Sequence, residues 1–292
     1  MTHMLMQKID SQMESFAQQI EHELLNGLAT FPTVFDISLR IKQLADDPDV
    51  SLAQIAEVVQ TEPLLCAKTV RMANLMAFNP YQHEIKGVKD AIGRIGLSTL
   101  RCLAFAVSAE QLARDHRSAQ MRQIANGLWM HSVDIAAWSC TLASHFKRRD
   151  VDSAMLAGMM LNIGQFYMLA RAANHPGVES DIRVFSQVVM TWDEAVRSAV
   201  LEAFEMPQSI IEACAFSSLD KNGVSRSELG EIVRLAACHA RTPSPFASLS
   251  GVDAEEARDK TCRNDRIDPG VLHELELAAR EARHALMDAA FG

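Results

Sequence analysis

Apolar residues recur at three- and four-residue intervals along nearly the whole chain, and this spacing constrains the fold more than any other feature. Alternating apolar and polar runs, and the Val/Ile/Thr clusters that mark strands, are missing. The sequence therefore predicts an all-α protein. Between Leu5 and Leu28 the positions Ile9, Met13, Phe16, Ile20 and Leu24 form one apolar stripe opposite polar residues, which predicts a long first helix packed along one side. A length of 292 residues with 48% hydrophobic content suits one large domain or two modest ones with ample core. No internal repeat of fixed period is visible, which argues against a solenoid.

Stop and start signals divide the rest. A helix is expected over Val34–Leu44, then a turn at Asp46–Asp49. Ser51 with Gln54 three residues on reads as a capping box for LAQIAEVVQ, and Pro63 stands in the first turn of a helix that ends near Asn74. Val88–Ile95 should stop at Gly96, with Ser98 capping the helix that follows. The hydrophilic stretch Arg114–Arg122 reads as a boundary. Beyond it, helices are expected over Gln123–Phe146, Asp152–Ala170, Asp181–Met190, Asp193–Phe204, Pro207–Phe216, Arg226–Ala240 and Pro269–Phe291. A polar turn falls at Asp220–Gly223, and Thr242-Pro243-Ser244-Pro245 is linker-like.

Charge and cysteine usage exclude several functions. Twenty-eight basic against thirty-seven acidic residues give a net charge of −9, which repels a phosphate backbone, so no nucleic-acid partner is expected. Cys66, Cys102, Cys140, Cys214, Cys238 and Cys262 lie far apart without a CxxC pair, and read as reduced, buried thiols. The N-terminus lacks a basic region followed by an apolar one, and no run of about 18 apolar residues free of charge is read along the chain. A cytoplasmic protein with no membrane partner is the expectation.

Five blocks in order, at 31–74, 84–108, 128–143, 152–169 and 204–218, make the chain resemble the HDOD family, the HD-related output domain of bacteria. The first pairs a proline-led helix and an acidic turn with a second Pro-led helix ending in Ala73-Asn74. The third and fourth read LWMHSVDIAAWSCTLA and DSAMLAGMMLNIGQFYML. The resemblance implies a multi-helix domain in two packed halves, related to the HD phosphohydrolases. It implies boundaries at 1–30 for an N-terminal helix, 31–240 for the domain (halves of about 31–114 and 121–240), and 241–292 for a linker with a helical appendage.

In HD enzymes a His, an adjacent His-Asp pair and a later Asp converge on divalent metal, which lowers the pKa of bound water and screens charge on a phosphoryl group. Against that pattern His131 matches the first His, Leu161-Asn162 stand where the His-Asp pair would be, and Asp193 and Ser217-Ser218 fall where related chains often carry histidines. Leucine has no lone pair to give. Asparagine offers one neutral carbonyl oxygen. The resemblance therefore implies a vestigial site with no catalytic residue, no metal and no cofactor.

Each of these residues also has a structural reading. His131, between Trp129 and Trp138, reads as a half-buried, hydrogen-bonded residue. Asn162 is expected to bond a neighbouring backbone or His131 across the helix pair. Asp193 and Glu194 read as acidic residues at a helix start, and Lys147-Arg148-Arg149 as a basic helix end. Met159, Met160 and Ile163 read as core, with Gly164 allowing close approach. The C-terminal helix is expected to pack on its own domain. The function implied is a non-catalytic signalling or regulatory module with unknown signalling proteins as partners; a homodimer and a nucleotide second messenger in the emptied cleft are further expectations, and a metal-dependent phosphohydrolase is the alternative.

Overall fold

The computed structural model describes residues 2–26, 37, 40–41, 43–44, 47, 49–75, 78–79, 83–116, 118–146, 150–175, 177–204, 206–215, 227–250 and 267–291. Every regular element among them is helical. In chain order they are α1 (Thr2–Leu25), α2 (Leu52–Gln60), α3 (Pro63–Asn74), α4 (Val88–Ile95), α5 (Leu97–Asp115) and α6 (Ala119–His145). There follow α7 (Val151–Met160), α8 (Ile163–Ala172), a 3-10 turn (Val178–Ser180), α9 (Ile182–Ala203), α10 (Gln208–Cys214), α11 (Glu228–His239), α12 (Pro245–Ser250) and α13 (Pro269–Phe291).

α6 is the axis of the molecule. It packs against α5, α7, α11, α12 and α13, and every side chain from Ser132 to Ser139 is buried. A helix enclosed on all sides has no polar face to present, which explains the weak amphipathic pattern of this stretch. The same holds for α7 and α8. The segment Val151–Ala172 is long and apolar enough to cross a membrane, contrary to the expectation that no such run exists, yet 94% of its apolar window is buried inside the fold. It is a core segment, interrupted at Leu161-Asn162, lying against α6 and α9.

One contiguous core runs from Met13 on α1 to Leu286 on α13 and draws on both expected halves. Phe16, Phe185 and Phe246 meet edge to face at 5.6 and 5.8 Å, tying α1, α9 and α12 together. Such pairs add about 0.5–1.5 kcal/mol each beyond area burial. α1 is also clipped to α8 by polar groups: Glu23 accepts from the Tyr167 hydroxyl and, at 3.1 Å, from Arg171 Nε. The terminal helix α13 lies on α6, α3 and α5 of its own chain.

Local signals were realised unevenly. The Ser51–Gln54 capping box forms, with Gln54 N–H donating to Ser51 Oγ at 3.3 Å and Ser51 N–H to Gln54 Oε1 at 2.9 Å. α5 instead begins at Leu97, ahead of Ser98, because Gly96 at φ +79° turns the chain sharply between α4 and α5. α6 starts at Ala119 under a Ser118 cap, so the hydrophilic boundary shrinks to three residues around buried His116.

Asp181–Met190 and Asp193–Phe204 are one continuous helix, α9, which runs through Thr191, whose hydroxyl turns back onto the Gln187 carbonyl at 2.8 Å. Asp193 is therefore mid-helix, not at a helix start. Conversely, the single helix expected over Asp152–Ala170 is broken at Leu161-Asn162. Cys66, Cys102, Cys140 and Cys214 are free, with burial pushing the Cys102 and Cys214 thiols up to about 12. Cys238 is disulfide-bonded, which corrects the reading of six reduced thiols. Cys262, Lys147–Arg149, Ser217-Ser218, Asp220–Gly223 and most of Val34–Leu44 lie outside the described residues.

Candidate functional site

The positions matched to the HD pattern come from three elements: His131 from α6, Leu161-Asn162 from the α7–α8 break, and Asp193 from α9. Two glycines set how closely these elements approach. A Cβ on Gly164 would stand 2.7 Å from the Asp193 carbonyl oxygen and 2.8 Å from the Arg197 nitrogen, so α8 and α9 touch backbone to backbone there. A Cβ on Gly158 would stand 3.0 Å from Ala136 Cα, which holds α7 equally close to α6.

Leu161 is 3% exposed and its side chain belongs to the core. Its carbonyl leaves the helical ladder and accepts from Arg197 Nη1 at 3.1 Å. Asn162 is 5% exposed. Its Nδ2 donates to Ser132 Oγ at 3.0 Å, and that hydroxyl in turn donates to the Leu128 carbonyl at 3.0 Å. A buried amide must find partners, and the one it finds is the residue next to His131, not His131 itself.

His131 faces elsewhere. Its Nδ1 lies 2.6 Å from the Thr242 carbonyl oxygen, which can only accept, so Nδ1 carries the proton. Burial lowers the imidazole pKa from its ordinary 6.5, and the Thr242 bond and the charge of Asp134 only partly oppose this. The ring is neutral at pH 7. One turn on, Asp134 Oδ2 accepts the backbone N–H groups of Arg241 at 2.9 Å and Thr242 at 2.8 Å. Two turns on, Trp138 stacks on His239 at 5.1 Å between ring centroids. One stripe of α6 thus grips the chain where it leaves α11.

Asp193 is 13% exposed and pairs with Arg197, Oδ2 to Nη1 at 2.8 Å. Burial raises the carboxyl pKa, with the Arg197 charge and a bond from Gln165 opposing. Arg197 itself is 2% exposed. The structure so brings 161 and 193 together through one guanidinium, brings 162 beside 131 through Ser132, and leaves the four positions without a common centre. Arg197, Ser132 and Asp134 were not singled out from the sequence. Asp193–Arg197 at i,i+4, and His131, Asp134 and Trp138 at i, i+3, i+7, are the spacings that would have found two of them.

A divalent metal of the HD type does not fit these residues. Leu161 gives no donor from its side chain, and the Asp193 carboxylate and the Leu161 carbonyl already share a fixed cation that would repel a second one. Among the described residues no group of three or more His, Cys, Asp or Glu side chains is placed to hold a metal.

Residues 31–218 match the HDOD domain family. A search of curated proteins finds no match. Among solved structures, a protein from Shewanella amazonensis SB2B, provisionally assigned as a metal-dependent phosphohydrolase, is 20% identical with a TM-score of 0.69, over 96% of this chain and 99% of that one. An HDOD domain protein of unknown function from Geobacter sulfurreducens is 19% identical with a TM-score of 0.60, over 96% and 99%. A Marinobacter aquaeolei VT8 protein provisionally assigned to signal transduction is 18% identical with a TM-score of 0.56, over 97% of this chain and 65% of that one. At these identities the likeness is one of fold.

Proposed function

The chain belongs to the HDOD domain family, and from that premise we propose that it is a non-catalytic bacterial regulatory protein that works by binding other proteins of a signalling pathway. The observation that carries the reading is the use already made of the ligand positions. Asp193 is held by Arg197, the Leu161 carbonyl by the same guanidinium, and His131 by Thr242. Without a metal-activated water the HD phosphohydrolase reaction lacks its nucleophile, which supports an output through binding. A cytoplasmic location goes with this role, and a solved relative of the same fold is provisionally assigned to signal transduction.

The test is metal content after purification from manganese- and iron-supplemented cultures, together with turnover of generic phosphomonoesters and phosphodiesters. The expected result is substoichiometric metal and no turnover above the blank. Stoichiometric metal lost in a His131→Ala variant, together with turnover, would establish the phosphohydrolase instead. A nucleotide sensor would be stabilised by RT ln(1 + [L]/Kd), and its melting temperature would climb with nucleotide concentration. Affinity purification from the native host, against an unrelated helical control, then identifies the partner.

A further inference from the structure

The charged centre of the vestigial site is an arginine reached by two separate elements. We infer that the Arg197 guanidinium takes over the structural part of a metal at this site, as a covalently attached cation that binds the α7–α8 break to α9. The inference rests on the non-catalytic reading in taking the site to work without metal.

Its acceptors are those a hard cation would choose. Leu161 follows the last residue of α7, and the carbonyls at a helix C-terminus have no intrahelical partner and carry the negative end of the helix dipole. The Asp193 carboxylate completes the set from a different helix. One Nη1 bonds both, at 3.1 and 2.8 Å. Guanidinium does not lose its proton in a protein, so the cation is permanent, unlike a bound ion that exchanges with solvent. Its burial demands compensation, and Asp193 supplies it from four residues back on the same helix face.

Gly164 is what makes this geometry available. With no Cβ there, the α8 backbone lies directly on the backbone of Asp193 and Arg197. The arginine side chain then reaches the Leu161 carbonyl three residues before that contact, and the bend at Leu161-Asn162 is held at both sides: by Arg197 through the carbonyl and by Ser132 through the Asn162 amide. The interruption between α7 and α8 is thus cross-linked at both of its residues.

The experiment compares thermal unfolding of the full chain, Arg197→Met, and Asp193→Asn/Arg197→Met, each with and without EDTA. Arg197→Met strands a buried carboxylate and should lower the melting temperature by on the order of 10 °C, with faster amide exchange over 161–164. The double variant buries no uncompensated carboxylate and should regain part of that loss. EDTA should shift none of the three. An Arg197→Met protein as stable as the parent, a double variant no better than the single one, or a parent destabilised by EDTA would each overturn the inference. If the single variant does not fold, the double variant decides: folded supports the inference, unfolded overturns it. Stability is the readout, so turnover found in the parent would fail the non-catalytic reading while leaving the cross-link separately measurable.

Discussion

His131 donates from Nδ1 to the Thr242 carbonyl at 2.6 Å, joining residues 111 apart in the chain. With Asp134 and Trp138 it makes α6 the anchor for the segment that leads from α11 to α12 and α13. Arg241 in that segment pairs with Glu276 of α13 at 2.7 Å, and Arg283 of α13 approaches Asp134 at 3.7 Å. The linker-like Thr242–Pro245 stretch is consequently fixed at its start.

Asp134→Ala should therefore loosen the C-terminal appendage more than any change at His131. It removes the charged acceptor of two part-buried backbone N–H groups, a loss of about 1–3 kcal/mol for charge-assisted bonds. Limited proteolysis should cut the variant after α11 at a protease concentration that leaves the parent intact. Equal resistance of the two proteins would show that α13 holds by its apolar contacts alone.

Acidification should weaken the fold through His131. Its folded pKa lies below the ordinary 6.5, so the unfolded chain binds the proton more readily. The contribution is fully present above pH 6.5 and declines as pH falls from there through the folded value. Asp193 runs the other way: its folded pKa lies above 3.8, so its contribution is present below 3.8 and is lost as pH rises through the folded value. Denaturant midpoints measured across pH 4–7 should fall less steeply on acidification in His131→Gln than in the parent. An unchanged slope would remove His131 from the account.

Gly164→Ala and Gly96→Ala should both destabilise, for different reasons. At Gly164 the new methyl meets backbone atoms at 2.7 and 2.8 Å, and helices must part to admit it, at a cost of about 3 kcal/mol. At Gly96 nothing lies within 4 Å, and the loss is the strain of holding alanine at φ +79°, ψ 163°, a region open essentially to glycine alone, about 1–3 kcal/mol. Urea midpoints of the two variants should rank Gly164→Ala below Gly96→Ala.

Much of this was legible in the chain because it depends on local spacing. The apolar period gave the helices, Ser51 and Gln54 gave a cap, and Gly164 two residues beyond Asn162 marked a close approach. What was not legible depends on which residues meet across the fold. Reading Asp193 as a helix start placed a boundary after Met190, whereas one helix runs from Ile182 to Ala203. The break at Leu161-Asn162 has no Gly or Pro at either position to announce it, and the group that takes the Leu161 carbonyl there, Arg197, lies 36 residues on. Likewise the partner of Asn162 was placed one residue off, since adjacent positions on α6 point to different neighbours and sequence distance does not rank them.

Restoring the missing pair tests how much of the site remains. Leu161→His/Asn162→Asp puts imidazole and carboxylate at the two vestigial positions, but Asp193 is still neutralised by Arg197 and His131 still donates to Thr242. A divalent ion would enter beside a permanent guanidinium, and the new carboxylate would be drawn to that guanidinium first. The double variant should take up no stoichiometric manganese in equilibrium dialysis, and it should lose about 2–4 kcal/mol of stability, because a buried leucine is replaced and the Asn162–Ser132 bond is gone. Adding Arg197→Ala to it should open the position and raise manganese uptake, with Asp193 freed as a ligand. Tight uptake by the Leu161→His/Asn162→Asp protein with Arg197 in place would show that those two positions alone had silenced the metal site.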